Sequence, residues 1–289
     1  MQIKDFYGEK KPVLSFEIFP PKRDTTLQSI DATLEVLCGL KPDFISVTFG
    51  AGGSATNSLT VALAKKIKHE YGIEPMVHLT CLNYDKKEIL AYTDELAEAG
   101  IENVMALRGD RNPQYQPKEE FFYASELVRF LKEERNYLCV GGACYPEGHT
   151  EAESKIADIH HLKEKTDAGA DFLVSQLFFD NELFYSFREK MALAGICRPV
   201  SAGIMPVINR AQIERMVSLC GASLPDKFKR ILQKYEFDKE ALFDAGMVYA
   251  VNQIVDLVAN DVDGIHIYTM NNPDVAKRIV DEIRHLIRR

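Results

Sequence analysis

The sequence predicts an α/β chain folded as a single (β/α)8 TIM barrel domain over residues 1–289, on three observations. Its 289 residues exceed a minimal domain and suit one barrel. Short β-rich runs alternate with longer helical patterns along the whole chain. Several helical patterns stop at glycine, as in Ala99-Gly100, Ala168-Gly169 and Ala194-Gly195, where a helix leaves through a left-handed residue.

Taken in order, strands are expected at 13–19, 44–49, 76–81, 103–107, 138–144, 172–177, 200–204 and 265–269. Helices are expected at 27–40, 59–71, 86–99, 124–134, 151–168, 182–194, 212–220 with 239–260, and 275–288. A helix after every strand implies parallel pairing, and at this length a closed barrel is the economical arrangement. Nothing reads as a linker or a low-complexity stretch, and no repeat stands out beyond the βα rhythm.

Side chains alternate across a strand. Phe16 and Ile18 oppose Ser15, Glu17 and Phe19; Ile45 and Val47 oppose Ser46 and Thr48; Val77 and Leu79 oppose His78 and Thr80. Helices cover the outside of a barrel, so the apolar sets should face out and the polar sets in. Glu17, Thr48, His78, Asp110 and Gln176 then fall at or just past strand ends, where such barrels place their active sites.

Composition narrows the function classes. Hydrophobic residues make up 46% and charged residues 27%, enough for a core and an ordinary surface. The net charge of −8, without a dense basic run, argues against nucleic acid as a partner. No stretch reads as the roughly 20 apolar residues of a membrane span, and the polar segment 1–11 does not read as a secretory signal. Cys38, Cys81, Cys139, Cys144, Cys197 and Cys220 form no CxxC pair. They are expected to be reduced thiols of a cytoplasmic protein rather than disulfides or metal ligands. No metal is expected: His78, His149 and His161 lack ligand spacing, and His160 and His161 lie on different faces of a helix.

Several candidates carry two readings. Glu17 is either a structural carboxylate paired with a cation inside the barrel or a general acid whose pKa an apolar setting raises; its place at the mouth favours the acid. Leu107-Arg108-Gly109-Asp110 is either a turn or a loop meeting a cofactor's polar edge. Gly50-Ala51-Gly52-Gly53-Ser54 lacks both the Walker lysine and a GxGxxG, so it reads as a tight loop leaving room for a ligand. Met105, Met205 and Met270 read as core or pocket wall.

Seven segments, in order, resemble the bacterial-type methylenetetrahydrofolate reductase family over nearly the whole chain. They are Ser15-Phe16-Glu17-Ile18-Phe19-Pro20-Pro21-Lys22, Ser46-Val47-Thr48-Phe49-Gly50-Ala51-Gly52-Gly53, His78-Leu79-Thr80-Cys81 and Leu107-Arg108-Gly109-Asp110. Tyr145-Pro146-Glu147-Gly148-His149, Gln176-Leu177-Phe178-Phe179-Asp180 and Gly203-Ile204-Met205-Pro206-Val207 complete the set. The resemblance implies a barrel holding FAD at its mouth and reducing 5,10-methylenetetrahydrofolate to 5-methyltetrahydrofolate, with electrons from NADH or NADPH. It implies Glu17 as the acid toward the bridging folate nitrogen and Asp110 as a carboxylate beside flavin and pterin. Gln176 and Tyr268 become folate contacts. Thr48, His78, Leu107, Arg108, Gly109, Asp110, Tyr123, Ala124, Tyr145, His149, Asp158, His161 and Lys165 become flavin contacts. Asp158, His161 and Lys165 are spaced by three and four, so one helical face can present all three; Lys165 suits pyrophosphate and Asp158 a ribose hydroxyl. A solvated charged face is the plain alternative.

Two positions depart from the family pattern. Arg210 stands where an aromatic helps hold the nicotinamide donor and folate, and Asn272 stands where an arginine meets the folate's glutamate tail. Reduction is therefore expected either from a partner electron-donor protein or from NADH held differently. The competing functions are a folate-binding methyltransferase barrel without redox chemistry and a flavin electron-relay subunit of a larger complex. A homo-oligomer is the expected assembly.

Overall fold

The computed structural model describes residues 1–9, 12–20, 30–49, 54–110 and 117–287, with the side chains of 54–58 left aside. Parts of the family segments (Pro21, Lys22 and the loop 50–53), the expected helix start at 27–29 and the helix end at 288 lie outside these residues.

Eight parallel strands close into a barrel in sequence order, β1 pairing with both β2 and β8. They are β1 (Val13–Ile18), β2 (Phe44–Val47), β3 (Glu74–Thr80), β4 (Asn103–Leu107), β5 (Cys139–Cys144), β6 (Phe172–Ser175), β7 (Val200–Ile204) and β8 (Gly264–Tyr268). Between and around them run α1 (Ile3–Glu9), α2 (Asp31–Gly39), α3 (Ser54–Tyr71), α4 (Lys86–Glu98), α5 (Ala124–Glu134) and α6 (Lys155–Asp167). α7 (Asn181–Leu193), α8 (Arg210–Cys220), α9 (Asp226–Lys234), α10 (Lys239–Ala259) and α11 (Pro273–Ile287) complete the ring. Every expected strand is present; β4 and β7 match end to end, and β1, β2 and β6 stop one or two residues early.

The alternation reading of the walls holds on the outside. Phe16, Ile18, Ile45, Val47, Val77 and Leu79 belong to the main core between strands and helices. Inside, the polar reading holds only toward the strand C-termini. Nearer the N-terminal ends the barrel is packed with Val13, Phe44, Met76, Cys139 and Phe172, and α1 plugs it with Ile3 and Tyr7. Tyr7 completes the plug by a 2.7 Å hydrogen bond between its hydroxyl and Ser201 Oγ. α1 and α9 were not expected from the sequence. Both are short, with seven and nine residues, and they owe their place to tertiary burial rather than to a long periodic pattern.

α10 corrects the expectation about membrane-length segments. With 21 residues, it is long and apolar enough by composition to cross a bilayer. It packs on α11, α9 and α7 instead, burying Leu242, Met247, Ile254 and Leu257. Gln253 Nε2 on the same face donates to Phe178 O at 2.9 Å. α8, α9 and the start of α10 cover a separate apolar cluster, Leu177, Met205, Val207, Ile213, Phe228 and Leu232 among them, which seats this lobe over the mouth.

Candidate active site

A cavity of about 1130 Å³ opens at the C-terminal ends of the strands. The barrel's alternation delivers Glu17, Thr48, His78, Gln176 and Tyr268 to it. Leu107 joins them from the end of β4, and the loops after β4 and β5 add Arg108, Gly109, Asp110, Tyr145 and His149. Met105, Met205 and Met270 form part of its wall, as read from the sequence, and α8 contributes Met216 and Cys220 from the lobe above.

Glu17 is the most enclosed carboxylate of the site, its side chain 12% exposed. His78 Nε2 lies 3.5 Å and His266 Nε2 3.7 Å from the same oxygen, Oε2. Behind His266, Nδ1 shares a 2.7 Å hydrogen bond with Ser15 Oγ. Burial pushes the Glu17 carboxyl up, but His266, His78 and Ser46 outweigh it and hold the group below the usual carboxylate range. The expected apolar setting with a raised pKa is thus overturned. The neighbours of Glu17 along β1 are apolar, but they face the helices, whereas the groups beside its carboxyl come from β2, β3 and β8. His78 is also held below its ordinary value: burial lowers its pKa against the opposing pull of Glu17, so it is neutral near pH 7. Glu17 therefore rests as a carboxylate, and covering it with a bound ligand removes solvent and raises its affinity for a proton.

Main-chain and side-chain bonds orient the rest. Gln176 Oε1 accepts from Leu177 N at 2.9 Å, which leaves its NH2 end as the group to offer a ligand. The Tyr268 hydroxyl donates to Ser175 O at 2.8 Å and its ring stands edge-on to His266, so its ring is what it shows the cavity. Gly203 permits this: a Cβ there would lie 2.8 Å from the Tyr268 ring and 2.2 Å from Ser175 O. Gly109, at φ +88, lets the β4 loop settle against Thr80, whose Cβ would be 3.0 Å from an added methyl. Arg108 is held by Glu151 through two 2.7 Å bonds. His149 Nδ1 accepts from Glu151 N at 3.1 Å, which makes Nε2 its protonated nitrogen when neutral. Burial and then Arg108 lower the His149 pKa, which keeps it neutral.

Tyr123, Ala124, Asp158, His161 and Lys165 are not on the wall of this cavity. Tyr123 and His161 stack with their rings 10° from parallel and 6.3 Å apart at the surface. Asp158 is buried, its pKa raised by burial despite nearby His149 and Lys165. Lys165 lies under β5, its Nζ donating to Ala143 O at 2.7 Å, and burial lowers its pKa. The three residues of α6 therefore do not share one solvent face: Asp158 and Lys165 turn inward and His161 outward.

The two departing positions have structural work of their own. Arg210 is ion-paired to Glu214 at 2.7 Å and to Glu236, tying α8 to the chain beyond α9. Asn272 Oδ1 caps α11, accepting from Asp274 N at 3.1 Å. Sequence reasoning passed over His266, Asn83 and Tyr92, and left Ser15 and Phe19 in the inward set of β1 without a role. His266 had a signal, since it shares the inward set of β8 with Tyr268; Asn83 and Tyr92 come from a loop and α4, and no strand alternation marks them.

The family model described as methylenetetrahydrofolate reductase matches residues 2–284. A 5,10-methylenetetrahydrofolate reductase of Pectobacterium carotovorum is 34% identical over 266 residues, 92% of this chain and 88% of that protein. Methylenetetrahydrofolate reductase 1 of Schizosaccharomyces pombe is 33% identical over 95% of this chain, which spans only 46% of that longer protein. Among solved structures, an uncharacterised Clostridium thermocellum protein that binds two copies of 5-methyl-5,6,7,8-tetrahydrofolic acid superposes with a TM-score of 0.70 at 12% identity, covering 99% of both chains; this likeness supports the barrel alone. With the match running through all eight strands that build the cavity, the chain belongs to the methylenetetrahydrofolate reductase family.

Proposed function

We propose that this chain reduces 5,10-methylenetetrahydrofolate to 5-methyltetrahydrofolate with FAD bound at the barrel mouth. The observation that carries the reading is the convergence of Glu17, Asp110, Gln176 and Tyr268 on one cavity, in a chain of this family.

The cavity fits such a cofactor. Its volume exceeds the usual range for small-ligand pockets, its β4–β6 side is floored by Met105, Leu107, Ala143 and Val174, and Arg108, Tyr145 and His149 stand around that floor. These residues would hold the flavin, with Thr48, His78, Gly109 and Asp110. Tyr123, Ala124, Asp158, His161 and Lys165 would serve its adenosine and phosphate end. When bound, FAD supplies the hydride.

The protein's own part is orientation and proton handling. Gln176 offers its amide to the pterin edge and Tyr268 packs its ring against it. Glu17 takes up a proton as the ligand covers it and gives that proton to the bridging nitrogen, which opens the one-carbon ring to an electrophilic iminium. Asp110 places negative charge beside the ring system and disfavours further negative charge there. Electrons enter from NADH or NADPH, or from a partner protein. Arg210, engaged by Glu214 and Glu236, gives the donor no aromatic face at that position. The protein acts in the cytoplasm as a homo-oligomer, a state that light scattering reads directly.

An anaerobic absorbance spectrum tests the reading. A flavin band bleached by NADH and restored by methylenetetrahydrofolate is the expected result. A band indifferent to NADH and NADPH, yet reoxidised by folate after chemical reduction, keeps the reaction and assigns the electrons to a partner protein. A protein that takes up no FAD on reconstitution defeats the proposal in favour of methyl transfer.

A further inference from the structure

The β1–β8 ladder ends at the pair Glu17–Tyr268, yet the two chains stay clasped beyond it. Thr269 Oγ1 donates to Glu17 O at 2.7 Å. Two residues on, Asn271 Oδ1 accepts from Phe19 N at 2.8 Å and its Nδ2 donates to Phe19 O at 2.9 Å. One side-chain amide thus serves both main-chain groups of Phe19, as a neighbouring strand would. The next residue is Pro20, which has no N–H with which to carry the ladder further.

This clasp is bought with an unusual turn. Met270 and Asn271 have φ of +53 and +56, and Asn272 N donates to Thr269 O at 2.9 Å. Two successive residues at positive φ inside a closed four-residue turn follow the type I′ pattern, which asparagine tolerates and methionine disfavours. The turn sets Met270 in the cavity wall, which Phe19 also lines.

We propose that Asn271 is a positioning residue for Glu17. By gripping Phe19 it fixes the end of β1, so that the Glu17 carboxylate keeps its distances to His78 and His266 and its aim into the cavity. Asn271 touches neither the carboxylate nor the ligand; it acts through the main chain two residues away. This role rests on the reading of Glu17 as the proton donor.

The test uses the flavin-loaded protein and measures its two half-reactions separately. Asn271→Gly keeps the positive φ and removes the clasp. Asn271→Asp keeps the shape and replaces the donor facing Phe19 O by an acceptor. Reoxidation by methylenetetrahydrofolate is expected to slow by ~10- to 100-fold, the scale of a misplacement of about 1 Å, with kcat falling more than KM. Flavin reduction by dithionite should stay within about twofold. The alkaline limb of the folate half-reaction, where a proton donor loses its proton, should move to higher pH, because a carboxylate loosened from its imidazoles returns toward its ordinary pKa. Equal slowing of both half-reactions, or an unmoved pH profile, overturns the proposal even where the thermal midpoint drops. Glu17→Gln measured alongside separates the two claims. If it spares folate reduction, the reading of Glu17 falls and this proposal with it; if it abolishes folate reduction while both Asn271 variants keep it, only the proposal falls.

Discussion

On the β8–β1–β3 side of the mouth the barrel sets ionisable groups against one another, with Glu17 between His78 and His266 and Ser15 behind. On the β4–β5–β6 side it lines the same cavity with Met105, Leu107, Ala143 and Val174. The first half can hold and move a proton. The second offers an apolar bed against which a ring system is favourably removed from water. The difference teaches where to look for each part of the reaction: damage to one half should spare the other's task. The largest expected effect is on the polar side. Glu17→Gln should lower reoxidation by methylenetetrahydrofolate by ~10²- to 10⁴-fold, the scale of a lost general acid, while flavin reduction by its donor changes little. Stopped-flow absorbance resolves the two steps, and comparable losses in both would make Glu17 structural.

Ala143→Leu strikes the apolar bed. The added carbons enter the cavity beside Val174, and overpacking of this kind costs about 1–3 kcal/mol, or ~5- to 150-fold in FAD affinity. The thermal midpoint of the flavin-free protein should hardly move, since Ala143 is only half-buried there. Flavin titration by fluorescence quenching checks it; unaltered affinity would place the ring elsewhere. A smaller effect is expected at Lys165, beneath that bed. Its part-buried ammonium bonds a main-chain carbonyl, Ala143 O, and burial disfavours its charge. Lys165→Met should leave the flavin-free protein as stable as before or more so, because the burial cost of the charge disappears. If the ammonium also holds the cofactor's phosphates, FAD binding weakens by about tenfold, the scale of one charge-assisted hydrogen bond. A destabilised protein with normal FAD affinity would confine Lys165 to packing.

The two halves also differ in how legible they were in sequence. The barrel followed from the βα rhythm, and the inward set of β1 placed Glu17 at the mouth because a period of two leaves little freedom once helices cover the outside. What alternation could not supply was the company Glu17 keeps. Its apolar neighbours Phe16 and Ile18 suggested a raised pKa, yet they face the helices, and the groups that set its charge come from strands far away in sequence. α1 was missed because seven residues carry too little periodicity, although its Ile3 and Tyr7 plug the barrel. On α6, spacing put Asp158, His161 and Lys165 on one face, but a helix packed on a barrel divides that face into a buried and an exposed part. Asn271 and its clasp depend on positive backbone angles that no pattern of hydrophobicity announces.

The smallest expected effect separates the two ionisable partners of the polar half by pH. Burial lowers the His78 pKa, so below the ordinary value of about 6.5 the unfolded chain binds a proton there that the folded chain refuses. That contribution to stability is complete above pH ~6.5 and is lost as pH falls through the lower folded value. Glu17 is also held low, by His266, His78 and Ser46 against burial. Its contribution is complete above the ordinary glutamate value of about 4.3 and is lost only further down. The thermal midpoint of the native protein should therefore begin to fall below pH ~6.5 and fall again below pH ~4.3. His149, whose pKa is also lowered, adds to the first descent, so His78→Gln should make that descent shallower rather than abolish it and keep the second, itself shallower because Glu17 has lost one of its imidazoles. Parallel midpoint curves for the two proteins from pH 8 to pH 5 would mean that His78 is protonated in the fold. The charge balance around Glu17 would then have to be carried by a cation on β3 rather than by a neutral ring.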